Sequence, residues 1–391
     1  MHTKMTILLF ASLLLLPSLL AAASVKAQLR GHVIVANSSD SAISVLTRDT
    51  SWVNTTPTAI TLYPQRSIRL SDRQANAALD HAKPLVAEVK VRYNSSELVV
   101  MVSWKDRSYS IALEHRVATF GDQIALSLPL NYPKNGVVPH IGMGDSKHPV
   151  ALYLQKAVKQ KNPFQQTYLA RGFGSLTQTK KLSAYMTMNY DKSFGGWRAL
   201  FKLPLTGKLK TVLNSGLFPI SFALWNGKQH ERGGNKRISS WHFIYRPERE
   251  VNQRLVKKLS YGLATPILGD VKEGEKLVKT NCTFCHRIGP YLSTPEGVAP
   301  NLSGIGGVAL PAYLKESIVT PDAIVVRNLH LNRHYQKGGE RDAHGAYPHN
   351  MRYKWYRKGK KGVLHSNMPS YQAILTPEQL NSVVLYLQQQ K

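Results

Sequence analysis

Apolar and polar residues alternate in short runs from about residue 28 to 262, and from Gly269 apolar positions recur at helical spacing. In Leu85–Tyr93, residues Val89, Val91 and Tyr93 fall on one face of a strand. The polar turn Asn94-Ser95-Ser96-Glu97 leads into Leu98–Trp104, rich in β-branched and aromatic residues, so the pair predicts a hairpin. Similar runs recur at Gln123–Leu130, Met186–Tyr190, Gly196–Leu203, Phe218–Trp225 and Trp241–Tyr245, punctuated by Gly, Pro, Asn and Asp. Many short strands with little helical period between them predict a mainly β sandwich over residues 28–265. No repeat of fixed period is present.

From Gly269 the pattern turns helical. Asp270-Val271-Lys272-Glu273 reads as a helix start, and the helix it opens runs into a cysteine pair. A middle helix is predicted near Leu310–Val319. In the last helix Thr376 stands at N-cap, Pro377 at the first helical position and Gln379 at N3. Leu380, Val383, Val384 and Leu387 then mark its apolar face. Residues 266–391 are therefore expected to form a small all-α domain, with the boundary marked by Ala264-Thr265-Pro266. Within it, residues 320–366 form a long basic insertion holding Arg352, Lys354, Arg357, Lys358, Lys360 and Lys361. His330, His334, His344 and His349 also fall there; without a carboxylate cluster they read as surface residues rather than a metal site. A long insertion of this kind suggests a docking surface.

Residues 1–27 have the form of an export signal. Lys4 gives the basic start, Ile7 to Leu20 the apolar run, and Val25-Lys26-Ala27 or Ala21-Ala22-Ala23 a small-residue cleavage site. The run is short for a bilayer span, so the expectation is an exported protein of the periplasm or an equivalent compartment, with no transmembrane segment in the mature chain. The formal charge is +28, or +26 once Lys4 and Lys26 leave with the leader. Nucleic acid is the usual partner of so basic a chain, but an exported protein rarely meets it. An acidic protein partner or an anionic surface is the better expectation, with salt-sensitive docking.

The chemistry concentrates in Cys282-Thr283-Phe284-Cys285-His286, which contains both cysteines of the chain. Two thiols three residues apart reach the two vinyl groups of one porphyrin, and the following imidazole comes under the iron. A redox dithiol would want a βαβ setting and a zinc site two more ligands, and neither is present. Cys282 and Cys285 are thus expected to hold haem c covalently, with His286 on its iron. The second iron ligand is expected from a loop before the last helix, where Met368 precedes Pro369. Met351 and His365 are the rivals. Pro300 is placed to accept a hydrogen bond from the His286 ring. Across residues 268–391 the chain resembles class I cytochrome c, through the Cys-x-x-Cys-His pentapeptide, Pro300-Asn301-Leu302-Ser303-Gly304 and Met368-Pro369 before the final helix. It departs from that family in the basic insertion.

The β region holds no nucleophile elbow, no phosphate-cradling loop and no suggestive carboxylate pair, so the chain is not expected to be an enzyme by itself. Two glycine-flanked stretches remain, Pro139–Asp145 around Met143 and Trp225-Asn226-Gly227 followed by Glu231–Lys236. On pattern alone each is a turn, and Lys236 an exposed lysine. The span from about Ser51 to Arg246 nevertheless resembles the haem b γ subunits of type II dimethyl sulfoxide reductase-like molybdoenzymes, of which ethylbenzene dehydrogenase is one. The carrying segments are Ala87–Asp106, Gly121–Leu126, Gly142-Met143-Gly144, Phe222–Gly227 and Gly234-Asn235-Lys236. The resemblance implies a non-covalent haem b in the sandwich between Met143 and Lys236, with His140 and His148 as alternative ligands. Fusion to a cytochrome c resembles, further, the γ subunits of nitrite oxidoreductases from anaerobic ammonium oxidisers. It implies a dihaem relay between an iron–sulfur β subunit, beside a molybdenum α subunit, and a soluble cytochrome. Two other readings are a carbohydrate-binding sandwich joined to a monohaem cytochrome and a stand-alone periplasmic carrier.

Overall fold

The computed structural model describes residues 23–68, 73–113, 119–159, 164–173, 175–264, 268–293, 297–326 and 355–391. Most of the expected leader lies outside them. So do His330, His334, His344, His349, Met351, Arg352 and Lys354 of the insertion.

Among the described residues fourteen strands form one sheet. The principal ones are β1 (Val33–Val35), β2 (Thr58–Pro64), β3 (Leu85–Tyr93), β4 (Glu97–Lys105), β5 (Gln123–Pro129) and β6 (Val150–Lys156). There follow β7 (Phe164–Ala170), β8 (Tyr185–Asp191), β9 (Gly196–Pro204), β10 (Leu217–Trp225), β11 (Arg237–Ser239) and β12 (His242–Tyr245). The main path is β7-β6-β5-β10-β11-β2-β3-β4-β9-β8, antiparallel at every step. Strand β10 bends the sheet over itself. Its first half, Leu217–Ile220, pairs with β12, while Ser221–Trp225 pairs with β5. A strand shared between two ladders makes the corner of a sandwich. Inward positions then alternate as the sequence pattern requires: Val89 and Val91 of β3, Val100 and Val102 of β4, and Ala199 and Phe201 of β9 share one core. The other face of β4, Val99 and Met101, is covered by Ile43 and Trp52.

Helix α1 (Arg73–Asp80) lies between β2 and β3. Helix α2 (Gln253–Leu263) replaces the strand character expected up to about residue 262. Asn252 caps it by accepting from the Arg254 and Leu255 amides at 3.0 and 3.2 Å. Leu255, Val256, Leu259 and Leu263 then bury one stripe against Val33, Phe243 and Tyr245.

The C-terminal region is a helical domain of α3 (Val271–Asn281), α4 (Pro311–Val319) and α5 (Pro377–Gln389). Asp270 caps α3 through the Glu273 amide at 2.7 Å, and Thr376 with Gln379 forms the reciprocal box at the start of α5. Helices α3 and α5 cross closely at Gly274, where a Cβ would lie 2.0 Å from the Ser382 carbonyl oxygen. Val278, Leu314, Ile318, Val383, Val384 and Leu387 form the core. One addition to the all-α expectation is a hairpin at the end of the basic insertion, β13 (Tyr356–Lys358) with β14 (Leu364–Ser366). No helix among the described residues is long and apolar enough to cross a membrane.

Candidate functional site

Helix α3 delivers the cysteine pair to a cavity. The turn tightens as the helix ends, with the Cys285 and His286 amides donating to the Cys282 carbonyl at 3.1 and 2.8 Å. Both thiols are free, and with His286 they line a cavity of about 670 Å³, within the usual range for ligand sites. Burial pushes the Cys282 thiol up to about 12, and burial also lowers the His286 imidazole. His286 Nδ1 lies 2.8 Å from the Pro300 carbonyl oxygen, the bond anticipated from sequence. A carbonyl only accepts, so Nδ1 carries the proton and Nε2 keeps its lone pair. These donors fit a haem c: two unpaired thiols and a neutral, oriented imidazole on one apolar wall.

Met368 lines the same cavity. Its loop is tied down on both sides. The Met368 amide donates to Ser366 Oγ at 3.1 Å, the Tyr371 amide to the Ile318 carbonyl at 3.0 Å, and the Tyr371 hydroxyl to the Asn281 carbonyl at 2.8 Å. The last bond joins the Met368 loop directly to the residue before Cys282. Its rival His365 is engaged elsewhere. His365 Nδ1 is 2.7 Å from Asp322 Oδ2, and the ring is not part of the cavity wall. Asp322 also accepts the Ser366 amide at 2.7 Å, so one carboxylate anchors the strand that leads into Met368. The other rival, Met351, lies outside the described residues.

The cavity is closed by the β domain. Arg66, Ile68, His140, Gly142, Phe173 and Ile238 complete its wall. Neither Met143 nor Lys236 is in that wall, but each is one or two residues along from a residue that is. Met143 has φ +73° and Gly144 φ +76°, a left-handed pair that few side chains tolerate. The turn is held by the Gly144 amide on the His140 carbonyl at 2.8 Å and the Gly172 amide on the Met143 carbonyl at 2.9 Å. Only glycine fits before it, because a Cβ on Gly142 would lie 2.7 Å from the His140 ring and 2.8 Å from Phe173. The alternative ligand His148 is held by Asp145, 3.1 Å from its Nδ1. The other alternative, His140, packs its ring against Tyr313 of α4.

Lys236 departs from the exposed lysine of a simple turn. Its ammonium sits 5.0 Å from the centre of the Trp225 ring, and no carboxylate pairs with it among the described residues. Burial alone pulls its pKa down to about 8, which brings the neutral amine within reach near physiological pH. A lysine in that state fits the role of a nitrogen ligand to iron. The loop that presents it is built on a buried ion pair: Arg237 Nη1 meets Glu231 Oε1, while Glu231 Oε2 accepts the Asn226 amide at 2.8 Å.

Sequence reasoning missed Asp322 and Tyr313. Asp322 lies 43 residues from its partner, which no local pattern reveals. Tyr313 carried a signal, being a large aromatic one position before Leu314 in the buried α4 stripe of Pro311, Leu314 and Ile318.

The family model for cytochrome c matches residues 271–391. Over 154 residues the chain is 27% identical to a protein named as a haem subunit of respiratory nitrate reductase in Haloferax mediterranei, covering 38% of this chain and 52% of that protein. Over 151 residues it is 28% identical to the chlorate reductase γ subunit of Ideonella dechloratans, covering 37% and 58% respectively. The chain thus spans little more than half the length of these curated relatives. Among solved structures, a family 9 carbohydrate-binding module from Caldicellulosiruptor kristjanssonii, in complex with glucose, aligns with 56% of this chain and 98% of its own. The TM-score is 0.32 at 12% identity, too low to bear on ligand or function.

Proposed function

We propose that this chain is the dihaem electron-transfer subunit of an exported molybdenum oxidoreductase, with haem c held by Cys282, Cys285, His286 and Met368 and haem b by Met143 and Lys236. The carrying observation is the cavity at the domain junction, where two free thiols, an oriented neutral imidazole and a thioether converge under a lid from the β domain. Haem supplies one-electron iron chemistry when bound. The chain supplies the rest. Cys282 and Cys285 tether, Pro300 fixes the His286 tautomer, and Met368 brings a soft sulfur that favours the reduced metal. Lys236, uncharged when it binds, and Met143 offer one nitrogen and one sulfur to the second site.

The named relatives are haem or γ subunits of nitrate and chlorate reductases, which supports a place beside an iron–sulfur β subunit and a molybdenum α subunit. In this reading electrons pass between the iron–sulfur subunit and an external cytochrome. Nitrite is the substrate we assign to the parent complex, from the fusion of the two domains. The basic excess of the chain favours an acidic redox protein as the outer partner, and exposed Lys358, Lys360 and Lys361 on the β13–β14 hairpin extend it beside the Met368 loop.

Purification from the source cells tests this directly. Two haem spectra are expected, one removed by acid–acetone and one left on the chain, together with copurifying subunits containing molybdenum and iron. A chain with a single haem, or one that emerges alone without molybdenum, overturns the proposal and leaves a monohaem or stand-alone carrier.

A further inference from the structure

Between the two candidate sites the β domain and the cytochrome c domain meet through a specific ring contact. The His140 imidazole and the Tyr313 phenol stand 5.0 Å apart, tilted by 47°. Both rings line the cavity that holds Cys282, Cys285, His286 and Met368. His140 belongs to the turn that carries Met143, and its carbonyl accepts the Gly144 amide. Tyr313 belongs to α4, whose Leu314, Ser317 and Ile318 wall the same cavity. Beside the rings, Leu310 at the head of α4 and Met143 pack against one buried cluster of Val150, Ala170 and Trp241. The His140–Tyr313 contact thus stands where the Met143 turn adjoins the cavity of the tethered site.

We propose that the His140–Tyr313 ring pair is the junction that fixes the cytochrome c domain against the Met143 turn and carries the electronic coupling between the two haem sites. This rests on the dihaem reading above. With the two groups bound, one electron would cross in each event, one iron being oxidised as the other is reduced. Neither ring gains or loses a proton, and no bond forms or breaks. The physical reason is packing: close-packed atoms transmit coupling far better than a void, and a tilted aromatic pair also holds its own geometry. His140 thereby acts as a positioning residue rather than an iron ligand.

The test uses the full haem-loaded chain, reduced partially by a one-electron photochemical reductant while the visible bands of the two haems re-equilibrate. Tyr313→Phe keeps the ring and is expected to match the native exchange rate. Tyr313→Leu is expected to slow exchange several-fold at equal driving force, read from the two midpoint potentials measured in the same variant, while both haems stay bound, since Tyr313 belongs to neither proposed ligand set. His140→Leu is expected to slow exchange likewise and to keep both haems bound. If exchange in Tyr313→Leu is as fast as in the native chain, with both haems present, the junction is refuted while the dihaem reading survives. If His140→Leu instead loses the extractable haem, His140 is a ligand and the assignment of its role is wrong. If the native chain shows one haem only, both ideas fall together, and haem extraction alone tells that case apart.

Discussion

A ring nitrogen committed to a carbonyl leaves the other free, and at His286 that single bond to Pro300 decides what the imidazole can do. Met368 has no such partner for its sulfur, so its role depends on the backbone ties that hold it in the cavity wall. Met368→Leu preserves most of that volume and removes only the sulfur. The expected outcome is a chain that keeps its covalent haem but has a lower midpoint potential, because thioether ligation raises the potential of a haem iron. A redox titration and the near-infrared absorption of the ferric form check this, and unchanged values in both mean another residue holds the position. Lys236 makes a sharper case, since a pattern that reads as an exposed turn lysine turns out to be half-buried beside Trp225, with no counter-ion among the described residues. Lys236→Leu is expected to abolish the acid-extractable haem and leave the tethered one intact, read from pyridine haemochrome spectra before and after extraction. That Cys282, Cys285 and His286 meet at one cavity was legible from spacing alone, because the pentapeptide is local in sequence. That Met368 lines the cavity while His365 turns to Asp322 was not legible there, since Asp322 is distant in the chain and adjacent only once folded.

Strands that alternate strictly were readable in advance, and those buried by unusual neighbours were not. Leu85–Tyr93 and Glu97–Lys105 pair in the hairpin their pattern demands, and both ends of β9 agree with expectation to within a residue. Phe164–Ala170 has no such signature, for six of its seven residues are half-buried and mostly polar. Helix α2 shows the opposite failure: Leu255, Val256, Leu259 and Leu263 follow the helical period, but the strand pattern before them masked the change. Strand β1 was also unforeseen, and it creates a titrating element. Its parallel pairing with β12 brings His32 and His242 to 5.3 Å. Burial lowers both imidazoles, His242 to about 4, with the charge of His32 adding to the effect. The folded pKa values lie below the unfolded value of about 6.5, so the unfolded chain binds more protons as pH drops. Stability that is full above about pH 6.5 is therefore expected to fall as pH descends toward 4. Urea unfolding across that window should show the decline, and His242→Phe should reduce its slope; an equal slope in the variant would sink the assignment to this pair.

At the scale of the whole molecule, composition and pattern separated two domains but said nothing of how they face each other. The open side of the cytochrome c domain is closed by β2 and the segment after it: Ser67 Oγ donates to the Asn301 carbonyl at 2.9 Å, and the Arg66 guanidinium lies against Gly304. Interfaces between domains of one chain are ordinarily loose enough to allow relative motion, unless they are closely packed. This one is closely packed at Gly307, where a Cβ would come within 2.4 Å of the Tyr63 ring. Tyr63 cannot swing aside as a long flexible chain would, because it sits in mid-strand on β2, paired with Ile238 of β11. Gly307→Ala should therefore force the domains apart at the cavity mouth, at a cost of about 1–3 kcal/mol for overpacking. The consequence reaches beyond stability. With the lid displaced, water enters the apolar cavity, and an iron site exposed to water loses the low dielectric that helps set its potential. Denaturant unfolding followed through the haem absorbance and through far-ultraviolet dichroism should show one shared midpoint in the native chain. In Gly307→Ala the haem transition should come first and the dichroism later, with the haem c potential lowered before unfolding begins; coincident, unshifted curves would mean that Tyr63 is not what seats the lid.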